Sequence, residues 1–205
     1  MQLLLILSFA FLLGFISKTA DLLNEHGLKW FKHIDTFLGL IWGSMGAYLV
    51  YIDPNLATVY ITTVLYWFIR IKLDYPNHAI AGVIISLTTL WVAKYNPNFS
   101  WYYTFWLFLW LTISGYINTY LKDHYEINNP SLKSFLRLRL RYYAGPLVFS
   151  LIISNYLPFI ATILGMLGTE IVTIWFDKYE KTGRSNIAKT LGMHLETPKY
   201  GPAWK

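Results

Sequence analysis

The stretch AGPLVFSLIISNYLPFIATILGMLGTEIVTIWF, residues 144–176, is predominantly apolar along its whole length. The number of times it crosses a bilayer sets the topology of the whole chain. A hydrocarbon core about 30 Å thick takes about 20 apolar helical residues, with a range of about 17–25. The stretch is too long for one straight span and tight for two, and Asn155–Pro158 offers the only break. Upstream lie five further apolar segments, at 2–17, 36–52, 56–69, 79–93 and 100–121. Several are short, but Lys18, Arg70, Lys72 and Lys94 at their flanks can snorkel toward headgroups. Barrel strands alternate apolar and polar residues. Runs such as LLLILSFAFLLGFI (3–16) do not alternate, so the segments read as helices.

Charge decides the count. Cytoplasmic loops collect Lys and Arg. With seven spans and the N-terminus outside, Lys94 is the only basic residue on the outer side and the other sixteen face the cytoplasm. With six spans the split becomes ten against seven. The sequence therefore predicts an all-α polytopic membrane domain over 1–176. Its last two spans are 144–157 and 158–176, the N-terminus is outside and a basic tail, 177–205, is cytoplasmic. Pro158 then falls in the first turn of a helix, where a missing N–H costs little. The first segment lacks a basic leader and a small-x-small cleavage site, so it reads as a retained helix in the cell membrane.

Composition agrees. Charged residues are 14% of the 205, against about 25% in soluble domains. The absence of cysteine excludes disulfides, zinc–thiolate and iron–sulfur ligation, and a thiol nucleophile. The aromatic run WYYTFWLFLW (101–110), with Tyr116 and Tyr120 at the other end of that span, fits interfacial belts. Two linkers, 18–35 and 122–143, have the mixed pattern of in-plane segments. Asp21 can cap the first, and Gly145–Pro146 closes the second. The tail is too polar to build a core, though 185–191 can form a short helix. Gly39 and Gly43, and more loosely Gly165 and Thr169, form small-xxx-small pairs that suit close helix packing within the monomer.

The ionisable residues crowd the cytoplasmic face: all five histidines and nine of eleven carboxylates fall there. Glu170 lies within the last span, about 9 Å from its end at 1.5 Å per residue. Intramembrane carboxylates usually face a bundle interior or a wet cavity. Thr173 and Asp177 follow it on one helical face. Ser114, Asn118 and Lys122 form a polar stripe on the fifth span that can meet Glu170 across the bundle. In RIKLDYPNHAIAG (70–82), Asp74 can pair with Arg70, Asn77 can cap the fourth span, and Asp74 and His78 flank a turn. Asp74 and His78 are an acid–base candidate, with Glu170 at the pocket floor. His33 with Asp35 and Asp123 with His124 are further pairs, but no spacing matches a metal motif and no metal or cofactor is implied. Arg137, Arg139 and Arg141 alternate with leucines beside the membrane and suit a phosphate or an anionic lipid headgroup.

No dinucleotide, P-loop, zincin or nucleophile-elbow motif is present, and no surface suits nucleic acid. Matched broken helices of the transporter kind are absent. Three functions remain open. The first, which the one-sided chemistry favours, is a membrane-embedded enzyme acting on an anionic or isoprenoid lipid at the cytoplasmic leaflet. The second is a structural or assembly subunit that docks a membrane or cytoplasmic protein. The third is a small carrier or channel using Glu170.

Overall fold

The computed structural model describes residues 1–25, 28–70, 75–124, 140–182 and 193–195. Among them the chain forms seven helices: α1 Gln2–Glu25, α2 Ile34–Ile52, α3 Pro54–Ile69, α4 Pro76–Tyr95, α5 Trp101–His124, α6 Leu140–Ile152 and α7 Leu157–Thr182. Three helical stretches are long and apolar enough to cross a membrane: Gln2–Asn24, Pro76–Tyr95 and Leu157–Phe176. Every helix also turns large apolar side chains outward, among them Leu4, Phe37, Phe68, Leu87, Ile113, Val148 and Ile174. Soluble monomers rarely expose apolar patches beyond a few hundred Å².

The breaks between helices have local causes. Asp53 alone separates α2 from α3. Its backbone is extended, and its Oδ1 accepts from the N–H groups of Asn55 at 2.8 Å and Leu56 at 3.0 Å. Pro54 fills the first helical position, where no N–H is needed. At α4 the pre-proline Tyr75 is extended (φ −95°, ψ 141°) and Pro76 starts the helix. Asn77 therefore lies inside the first turn and does not cap it. The stretch 144–176 resolves as two helices. Ser154 takes a left-handed conformation (φ 53°) after α6. The N–H of Asn155 donates to the Ser150 carbonyl at 3.0 Å and that of Ser154 to Leu151 at 3.3 Å, a Schellman stop. The Asn155 side chain then accepts from the Leu157 N–H at 3.0 Å as α7 begins.

Contacts fix the helix directions. Phe9 meets Tyr48 and Leu13 approaches Gly46, so α1 and α2 are antiparallel. Gly39, Gly43 and Gly46 face Asn77, Ala81 and Ile85 in turn, so α2 and α4 are parallel. By the same logic α1 parallels α7, α3 parallels α5, and α6 runs against α5. Directions thus alternate along the chain. The helices α1, α2, α3, α5, α6 and α7 touch in that cyclic order and close a ring, with α4 packed outside on α2 and α3. Short turns join the helices at one end. The helix ends that lead into the longer linkers lie at the other.

Buried threonines need no partner across the bundle. Thr58, Thr62, Thr89 and Thr104 each donate to the carbonyl four residues earlier in their own helix, at 2.7–3.1 Å. The glycine pairs act within the monomer: α2 presents its glycines to α4, and Gly165 and Thr169 meet Gly14 of α1.

Three expectations need correction. The segment 18–25 is not an in-plane element, because α1 continues through it to Glu25. Its apolar members Leu22 and Leu23 are buried against Val172 and Phe176 of α7, which holds it helical. Gly145–Pro146 does not close a linker: α6 begins at Leu140 and runs through it. Both residues are buried, and Gly145 lies where a Cβ would meet the Trp110 ring at 2.7 Å. Part of the tail is docked: His194–Leu195 pairs antiparallel with Leu28–Lys29. Met193 joins Leu22, Leu28 and Phe176 in one apolar cluster. The proposed tail helix at 185–191 and most of the second linker, 125–139, lie outside the described residues.

Candidate functional site

The site begins with the contact between α2 and α4. Without side chains at Gly39 and Gly43, α4 approaches until a Cβ on either would sit 2.6–2.7 Å from an α4 Cα. This brings the first turn of α4 against the end of α1. Asn24 Nδ2 donates to Asn77 Oδ1 at 2.6 Å and pins the two together. One residue on, His78 Nε2 lies 2.9 Å from Asp21 Oδ1. The contact is close, but it is not a well-directed hydrogen bond, since Asp21 Oδ1 has no hydrogen-bond partner among the described residues. Trp42, Trp67 and Tyr75 surround the imidazole with ring centroids 5.6–6.4 Å away.

Polar atoms without partners collect here. Trp42 Nε1, Asn77 Nδ2 and His78 Nδ1 are buried without a hydrogen-bond partner among the described residues, and Asp21 Oδ1 has only its close contact with His78. Trp42 and Asn77 are 0% exposed and His78 8%. Each such atom carries a desolvation cost of about 1–3 kcal/mol. Native proteins leave few of them, and a concentration in one place marks a site.

The pair borders a cavity of about 520 Å³ inside the helix ring, within the usual range for small-molecule sites. Lys18, Asp21, His78, Asn118 and Tyr142 line its linker end, by the helix directions above. Toward the short-turn end the lining includes Val59, Leu107 and Ala161. The Thr62, Thr63, Thr162 and Thr169 hydroxyls in the wall donate to carbonyls of their own helices. The wall is therefore mixed, somewhat more apolar than polar, with its charge at one end. A second, open hollow between Tyr51, Trp91 and Tyr95 at the short-turn end has no carboxylate, histidine or lysine in its lining.

Of the residues singled out from the sequence, His78 and Asn118 reach the cavity. Asp74, Arg137 and Arg139 lie outside the described residues. Lys122 and Arg141 fall in the last turns of α5 and the first turn of α6. Glu170 is half-buried on α7 beside the lining positions Met166 and Thr169, and does not itself line the cavity. Ser114 donates to the Trp110 carbonyl at 2.6 Å and is also absent from the wall. The expected pocket of Glu170 with the Ser114–Asn118–Lys122 stripe is therefore not assembled around this cavity. Arg70 donates to Thr119 Oγ1 at 3.1 Å and lies over the Tyr116 ring. Among the described residues no three histidines or carboxylates gather as metal ligands.

The sequence reading missed Asp21 and Lys18 because it ended the first helix at residue 17. With α1 drawn to Glu25, Gly14, Ser17, Lys18 and Asp21 fall at i, i+3, i+4 and i+7 and share one face. No known protein family, curated protein or solved structure matches the chain.

Proposed function

We propose that the chain is a seven-pass protein of the cell membrane, with its N-terminus outside and its C-terminus cytoplasmic. In this reading it is an enzyme acting on an anionic or isoprenoid lipid drawn from the inner leaflet. The observation that carries the reading is the His78–Asp21 contact at the linker end of a cavity whose wall is more apolar than polar. The apolar part of the wall suits a hydrocarbon chain, and the imidazole suits proton transfer at the headgroup. Asp21 Oδ1 lies 2.9 Å from the ring's Nε2, and Nδ1 has no hydrogen-bond partner among the described residues. Asp74 remains a candidate second carboxylate. Arg137, Arg139 and Arg141 are candidates for gathering anionic headgroups at the surface, and Glu170 for a supporting role beside the wall. A two-sided carrier has no need for polar groups collected at one end. The alternation of helix direction and the apolar exterior of all seven helices support the topology.

The test is native mass spectrometry of the full chain in mild detergent, wild type against His78→Ala, Asp21→Asn and Glu170→Gln. A co-purifying lipid, retained by Glu170→Gln and lost in the first two variants, supports the reading. Four bare proteins would overturn it and favour an assembly subunit.

A further inference from the structure

Building on that reading, we infer that the cavity takes an amphiphile with one hydrocarbon chain and an oxyanion head, held by the Trp42 indole N–H and the Lys18 ammonium. Trp42 is fully buried, lines the cavity, and its Nε1 has no acceptor among the described residues. An indole N–H is a donor only, so what it lacks is an acceptor. Charged oxygens are the strongest acceptors for such a donor in an apolar setting. Lys18 lines the same cavity one helical turn before Asp21. The Lys18 ammonium supplies the cation that a bound oxyanion would meet beside the Trp42 donor.

The chain count follows from space. About 520 Å³ is a volume for one drug-sized molecule, and the two tails of a membrane phospholipid do not fit in it. The wall offers a single chain an apolar surface, since its threonine hydroxyls donate to their own backbones. A phosphate monoester and a carboxylate share this chemistry, and the experiment separates them.

The full chain in phosphatidylcholine nanodiscs is titrated with dodecyl phosphate, laurate, dodecanol and dioleoyl phosphatidic acid, with bound ligand counted by native mass spectrometry. The expected result is saturable binding of dodecyl phosphate, laurate or both, at least tenfold tighter than dodecanol, and none for the two-chain lipid. The tighter of the two anions names the head. Trp42→Phe keeps the aromatic packing and loses the donor. It should weaken the anion about 5–10-fold and leave dodecanol unchanged, the effect of one lost hydrogen bond. Lys18→Gln should weaken the anion about tenfold or more. Equal affinity for dodecanol and the anions, or equal loss of both in Trp42→Phe, would overturn the oxyanion subsite while leaving a chain-binding cavity. Tight binding of the two-chain lipid would overturn the one-chain limit. Failure of every probe would overturn the lipid reading itself.

Discussion

Gly39→Ala puts a methyl group into the contact that seats α4. The new Cβ would lie 2.6 Å from the Asn77 Cα and 2.9 Å from its carbonyl oxygen. Both neighbours are backbone, so no side chain can swing away. Ordinary contact starts near 3.4 Å, so the first turn of α4 must retreat by about 0.8 Å. Overpacking of this kind costs about 1–3 kcal/mol. Alanine returns up to about 1 kcal/mol through its better helix propensity. A net loss of about 1–2 kcal/mol in a chain this size lowers Tm by about 2–8 °C. The same retreat lengthens the 2.9 Å His78–Asp21 contact, so, if the proposed function holds, any lipid that co-purifies should be lost as well. The assay is thermal unfolding followed by tryptophan fluorescence in detergent, with lipid counted by mass spectrometry. Gly165→Ala is the control, because its Cβ meets only the Ala10 carbonyl, at 3.3 Å. It should melt within about 2–3 °C of wild type. If Gly39→Ala melts with or above Gly165→Ala and keeps its lipid, the glycine face does not position the site.

Asp53→Ala removes the cap that starts α3 and should cost about 1 kcal/mol, read as a Tm lower by about 2–4 °C, with Asp53→Asn recovering most of it. Ser154→Gly relieves a left-handed residue and should stabilise the chain by up to about 1 kcal/mol, whereas Ser154→Val should destabilise it in the same melt. Because the chain has no cysteine, single replacements report topology directly. Asn98→Cys should react with an impermeant maleimide in intact cells, and Ser185→Cys only after lysis; the reverse pattern would invert the orientation.

The helices were legible in the sequence wherever a single physical rule governed them. Pro54 and Pro76 mark helix starts because they cannot donate. The break at 153–156 was legible from Asn155–Pro158, although its stop is made by Ser154, a residue with no special pattern around it. The site was only half legible. His78 stood out as an ionisable group beside a span, but its partner is 57 positions away on a helix drawn too short. Local spacing offered only Asp74, which lies outside the described residues, because neighbours in sequence are all that spacing can see. The orphan N–H of Trp42 left no trace at all, since a tryptophan in an apolar span reads as packing until its nitrogen is found without an acceptor.

The seam between the first and last helices has a consequence for how the protein is made. Gly14 and Thr169, which touch across it, are 155 residues apart in the chain. At about 5–20 residues per second, α1 leaves the ribosome some 8–30 s before the helix that covers it. Throughout that interval α1 lacks the helix that covers it, and the ring has a missing stave. Docking of α7 is therefore the step that closes the vessel, and a chain stopped short of it leaves the cavity open along one whole side.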